Sequence, residues 1–261
     1  MGAGIAHAFL VCGSDVTVVE SSPEAAAAAR DRVSASLAKA AERGPVGDVG
    51  SLSVTTDAAA LGPARLVIEA VPELPDLKAE VLASIEKCAP DASIGTNTSS
   101  LSIDALAASL VEPPRLIGLH FFNPVPASAL VEIVVGSQTD PALVERAQAW
   151  VADLGKTGIT VTDSPGFASS RLGVMLALEA MRMLEEGVAT TEDIDTAMTL
   201  GYRHPVGPLR TTDIVGLDVR LNIAEHLARE LGPRFEPPAI LRDKVAAGEF
   251  GRKSGQGFYP W

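Results

Sequence analysis

Cysteine is nearly absent: Cys12 and Cys88 are the only two in 261 residues. Two are too few for a disulfide framework, and their spacing does not suit zinc. Both read as small core hydrophobes, and no metal centre is expected. Basic residues are scarce as well. Against 33 acidic side chains stand 21 lysines and arginines, giving a formal net charge of -12. That balance argues against nucleic acid or an anionic membrane as partner, while a local basic patch remains able to bind a phosphorylated ligand. No uninterrupted apolar run reaches membrane-spanning length, and the first residues lack the basic segment and cleavage site of a secretory signal. A cytoplasmic location is the default expectation. Internal repeats are also missing, and the alanine run at 25–29 is the one low-complexity stretch.

What is present is an alternation. Short apolar runs at 15–20 (DVTVVE), 51–55, 65–70 (RLVIEA) and 93–98 (SIGTNT) read as strands, and helical segments separate them. Ser22-Pro23 opens one helix that runs to Gly44, Pro75 precedes another over 76–88, and Asp140-Pro141 opens a third that ends near Gly155. Strands and helices in this order imply a doubly wound, mainly parallel sheet with helices on both faces, a Rossmann-like α/β domain. A last strand at 158–162 closes it. From Asp163-Ser164-Pro165-Gly166 onward the pattern is helical, with helices expected at 167–186, from Thr190, at 213–231 and at 238–247. The expected division is therefore 1–163 and 164–261, the second part being a smaller all-helical domain. The glycine- and aromatic-rich tail is too short to fold alone and should pack back on the body.

The stretch Gly118–Glu132, GLHFFNPVPASALVE, carries the strongest chemical signal. Two apolar runs flank an Asn123-Pro124 turn, so that His120 and Glu132 fall on consecutive strands and can meet at one sheet edge. An imidazole there can accept a proton while a carboxylate orients it and stabilises the cation formed. A structural histidine beside an unrelated surface glutamate is the competing reading of these residues. Glu69 and the run Asn97-Thr98-Ser99-Ser100 end strands on the edge where such sheets bind ligands. Ser100 and Ser102 read as helix caps rather than ligand contacts.

The N-terminal segment, MGAGIAHAF and then DVTVVE, resembles the second half of a dinucleotide-binding unit. Gly2 stands where the third glycine of G-x-G-x-x-G belongs, and Glu20 where the acid takes the adenosine ribose hydroxyls. The first strand and first two glycines are then expected upstream, and a chain starting at Met1 is expected to bind NAD poorly. Arg30, Arg32, Lys39 and Arg43 make the following helix locally basic, either as a solvated face or as a phosphate contact.

Together, GLHFFNPVP, NTSSLSI, VIEAVPE, DSPGF, TEDIDTAM, HPVGPL and FGRKSGQGFY resemble the 3-hydroxyacyl-CoA dehydrogenase family, bacterial 3-hydroxybutyryl-CoA type, from Gly2 to the C-terminus. The resemblance implies an NAD-dependent oxidation of the 3-hydroxyl of an acyl-CoA thioester. It makes His120 the base and Glu132 its partner, and Ser99 a substrate hydrogen-bonder near the nicotinamide. Glu20 takes the ribose and disfavours NADP, Glu69 and Lys253 line the NAD site, and Ser36 and Arg43 fall near the coenzyme A contacts. The helical domain of the family carries substrate contacts and a homodimer interface. One departure is clear: Ser170 stands where the family has an asparagine that binds substrate, and a hydroxyl offers one donor where an amide offers two donors and an acceptor. Two alternatives remain open from sequence. One is a dehydrogenase of the same superfamily acting on a sugar acid or another free hydroxy acid; the other is a catalytically silent acyl-CoA-binding homologue.

Overall fold

The computed structural model describes residues 1–42 and 47–261. Arg43 and the expected helix stop at Gly44 therefore lie outside the described residues. The chain forms two compact units, Met1–Ser164 and Pro165–Trp261.

In the first unit, α1 (Gly2–Leu10) leads into β1 (Val16–Val19), α2 (Pro23–Ala41) and β2 (Leu52–Thr55). The strands β3 (Leu66–Glu69), β4 (Ser93–Thr96), β5 (Leu116–Phe121), β6 (Leu130–Val135) and β7 (Thr157–Thr162) follow. Among them stand α3 (Pro75–Cys88), α4 (Ile103–Ala107) and α5 (Pro141–Asp153). Local chemistry sets these boundaries. Ser22 accepts a hydrogen bond from Ala25 N at the start of α2, and Asp140 from Ala142 N at the start of α5, each ahead of a proline at the first turn. Ser102 caps α4 by accepting from Ala105 N.

The strands form two sheets, β1-β2 and β3-β4-β5-β6-β7. Every pairing is parallel except β5 with β6. That exception follows from the Asn123-Pro124 turn, which sends the chain straight back beside β5, whereas parallel pairs need a longer crossover. Helix α1 is amphipathic in two directions. Ile5 and Ala8 pack with β5, β6 and α5, while Ala6 and Leu10 pack with Val33, Val16 and Leu52.

The second unit comprises α6 (Ser169–Glu185), α7 (Thr191–Thr196), α8 (Pro208–Val215), α9 (Leu217–Leu231) and α10 (Ala239–Ala246). Its core joins Val174, Leu178 and Met181 of α6 to Leu209, Leu217, Leu227, Phe235, Leu241 and Tyr259. The tail folds back: Asp213 accepts from Phe258 N, Tyr259 N and Trp261 Nε1. Two expectations need correction. The helix expected over 213–231 is broken at Gly216, whose φ of 109° lies outside helical space and is open to glycine at little cost. Cys12 is not a core residue but exposed, because it sits in the turn that ends α1. No described helix is long and apolar enough to cross a membrane.

Candidate active site

His120 and Glu132 are direct register partners across the antiparallel β5/β6 ladder. Side chains of paired residues lie on one face of a sheet, and the consequence here is a contact of 2.7 Å between His120 Nδ1 and Glu132 Oε2. A carboxylate accepts, so Nδ1–H donates, which fixes the tautomer and makes Nε2 the basic nitrogen. Glu132 is fully buried and His120 is 7% exposed. Glu132 is therefore not a surface residue. Phe122 lies against the imidazole, with ring centroids 4.5 Å apart, and Asn97 Oδ1 accepts from Phe121 N, tying the end of β5 to the loop after β4.

That loop is held by a residue that motif reading passes over. Glu73 Oε1 accepts from Thr98 Oγ1 at 2.6 Å, Ser99 N at 2.8 Å, Ser100 N at 3.0 Å and Ser100 Oγ at 3.1 Å. Its other oxygen is 3.3 Å from Lys78 Nζ. Burial raises the Glu73 pKa, but these bonds and Lys78 together pull it below the ordinary glutamate value. Ser99 Oγ stands 3.4 Å from the same carboxylate oxygen. In the sequence Glu73 stands four residues past the end of β3, whose own last residue is the acid Glu69.

Glu69 itself is internal. It is 2% exposed, and its oxygens accept from Lys78 Nζ at 2.7 and 3.0 Å, from Thr96 Oγ1 at 2.8 Å and from Val71 N at 2.7 Å. Lys78 is 1% exposed, and nothing in its helical context in the sequence marks it as buried.

At the other strand ends, Glu20 follows β1 directly and its N–H donates to Thr55 O. Gly2 is the first residue of α1, and a Cβ there would lie 3.8 Å from Ala70, an ordinary contact. The tighter demand falls on Gly4, where a Cβ would stand 3.0 Å from Val125. Ser36 faces inward, with Oγ 3.0 Å from Nδ1 of His7. Burial lowers the His7 pKa, and Lys156 adds to that. In the second unit, Ser170 occupies the first turn of α6, and Lys253 pairs with Asp218 near the start of α9.

The model for the 3-hydroxyacyl-CoA dehydrogenase NAD binding domain matches residues 1–164, and that for the C-terminal domain of the same enzymes matches 166–261. A 3-hydroxybutyryl-CoA dehydrogenase of Mycobacterium tuberculosis is 41% identical over 271 aligned positions, covering 100% of this chain and 95% of the relative. The mitochondrial hydroxyacyl-coenzyme A dehydrogenase of Sus scrofa is 38% identical, with 100% and 88% covered. Among solved structures, the (S)-3-hydroxybutyryl-CoA dehydrogenase of Ralstonia eutropha superposes with a TM-score of 0.93 at 39% identity, covering 100% of this chain and 95% of that one. A Rossmann-like unit and a helical unit, matched in this order, define an NAD-dependent oxidoreductase. Within that class the chain belongs to the 3-hydroxyacyl-CoA dehydrogenase family.

Proposed function

We propose that this protein oxidises (S)-3-hydroxyacyl-CoA thioesters to 3-oxoacyl-CoA, reversibly, with His120 as base and Glu132 as its orienting partner. The observation that carries the proposal is the buried 2.7 Å contact between His120 Nδ1 and Glu132 Oε2. Held in this way, Nε2 accepts the proton of the 3-hydroxyl, and Glu132 stabilises the resulting imidazolium without itself taking the proton. In the reverse direction the same nitrogen returns a proton to the 3-oxo group.

The first unit has features that fit NAD. The N-terminus of α1, with no acidic residue in its first turn, suits a pyrophosphate. Glu20 at the end of β1 suits the ribose hydroxyls, and its charge disfavours the additional phosphate of NADP. NAD supplies the hydride acceptor. Ser99, presented by Glu73, donates to the substrate near that acceptor. Glu69 acts on this site through Lys78 and Glu73, with its own oxygens engaged inside the protein.

The family resemblance assigns Ser170 a substrate contact, Lys253 an NAD contact, and Ser36 and Arg43 coenzyme A contacts, Arg43 lying outside the described residues. On this reading the first unit binds NAD and the helical unit, with residues 164–261, binds substrate and makes a homodimer. Exposed Leu172, Leu200 and Tyr202 in the helical unit support an interface there. On the same reading the protein works in the cytoplasm.

The experiment is NADH formation from NAD with 3-hydroxybutyryl-CoA, set beside free 3-hydroxybutyrate. Turnover of the thioester alone supports the proposal. Preference for the free acid supports a hydroxy-acid dehydrogenase, and binding of acyl-CoA with no turnover supports a silent homologue.

A further inference from the structure

Lys156 stands at the turn between α5 and β7. Gly155, with a φ of 65°, ends α5 in the left-handed region that glycine enters at little cost, and Lys156 N then donates back to Val151 O at 3.1 Å. One residue later the β6/β7 ladder begins, with Thr157 opposite Leu130 and Thr157 N donating to Ala129 O at 2.7 Å. The backbone is fixed on both sides of Lys156, and its side chain reaches into the loop that joins β5 to β6.

There Nζ donates to Val125 O at 2.8 Å and to Ser128 O at 2.6 Å. The loop closes a turn on a different carbonyl, since Ala127 N and Ser128 N both donate to Pro124 O. Lys156 therefore adds a fastening from outside the loop, and a charged donor bonds a carbonyl more strongly than a neutral one. What the loop touches gives this fastening its consequence. On one side the loop continues β5 and β6, where His120 faces Glu132, and Val125 is 2% exposed and packs with Phe121 and Val131 beside that pair. On the other side lies the first turn of α1: a Cβ on Gly4 would stand 3.0 Å from Val125 Cβ and 3.7 Å from Pro126 Cδ. One loop thus separates His120 from the helix end that suits the NAD pyrophosphate.

We infer that Lys156 is a positioning residue for the oxidation: by holding Val125 and Ser128 it sets where His120 stands relative to the dinucleotide. The inference rests on the roles given above to His120 and α1. Proton and hydride leave adjacent atoms of the substrate, the 3-hydroxyl oxygen and carbon 3, so both acceptors must meet one geometry at once. Lys156 serves that geometry through the loop rather than by touching the substrate.

The test uses Lys156→Met, which keeps the aliphatic stem and removes the donors, and Lys156→Arg, which keeps the charge and can reach both carbonyls. kcat and KM for 3-hydroxybutyryl-CoA are measured well below the melting temperature of each variant. The imidazole NMR spectrum of the ligand-free protein is read beside them, with the His120 Nδ1–H assigned by its loss in His120→Gln. Lys156→Met should lower kcat about ten- to a hundredfold while KM stays within about twofold of wild type. It should also speed exchange of the His120 Nδ1–H with water, and Lys156→Arg should recover most of both effects.

Wild-type kcat in Lys156→Met, with only the melting temperature lowered, overturns the inference, because the lysine would then merely stabilise the fold. A rise in KM with kcat intact overturns it too, as does a Lys156→Arg variant no better than Lys156→Met. If the wild type turns over no thioester, the dehydrogenase reading fails, and the His120 signal alone decides the positioning role. Faster exchange in Lys156→Met then upholds that role, and an unaltered signal removes it.

Discussion

Glu73 gathers the loop that carries Ser99 onto a single carboxylate oxygen, accepting from Ser99 N at 2.8 Å and from Thr98 and Ser100 beside it. The bonds favour the ionised carboxylate, so its folded-state pKa is depressed below the unfolded value. A depressed acid contributes stability that is present above the unfolded pKa of about 4.3 and is lost as pH falls through the folded value. Glu73→Gln should therefore flatten the decline of the urea midpoint below about pH 4.3, and should raise KM by loosening Ser99. An unaltered pH profile in the variant would show that the loop does not depend on that charge.

His7 predicts a pH effect in a higher range. Its pKa is lowered by burial and by Lys156, so the unfolded chain binds more protons between the folded value and about 6.5. Stability supplied by the neutral ring is present above about pH 6.5 and declines as pH falls below it. His7→Gln keeps a polar partner for Ser36 and removes this titration. Thermal melts at pH 7.5 and 5.5 should differ less in the variant than in the wild type, and an equal or larger difference would contradict the assignment.

Gly118 sits in β5 opposite Val134, where a Cβ would stand 2.7 Å from Val134 Cβ and 2.8 Å from Ile103 Cδ1. Gly118→Ala should cost about 1–3 kcal/mol through overpacking. Because His120 lies two residues along the same strand, kcat should fall as well. Denaturant unfolding and turnover on one preparation check both, and a variant of wild-type stability would mean that the strands move apart freely.

Much of this was legible in the sequence for identifiable reasons. Strong period-2 and buried runs marked the strands, and proline-preceded caps at Ser22 and Asp140 marked helix starts. His120 and Glu132 were recoverable because a tight turn between two apolar runs forces antiparallel pairing. The break at Gly216 was not, since a lone glycine in a helical pattern is often tolerated and only its positive φ reveals the kink. Lys78 and Arg220 were hidden for another reason: a charged residue on a helix reads as solvated, and its burial depends on neighbours distant in sequence. Cys12 was misplaced because a cysteine at the end of a helix can face either way.

The His120–Glu132 pair is tested most directly by NADH formation from NAD and 3-hydroxybutyryl-CoA in wild type, His120→Ala and Glu132→Gln, with NAD affinity measured on the same samples. Loss of the base should lower kcat roughly 10²- to 10⁴-fold with NAD affinity unchanged. Glu132→Gln should lower kcat in the same direction, because an amide stabilises the imidazolium less than a carboxylate does. Turnover by His120→Ala at the wild-type rate would contradict the account.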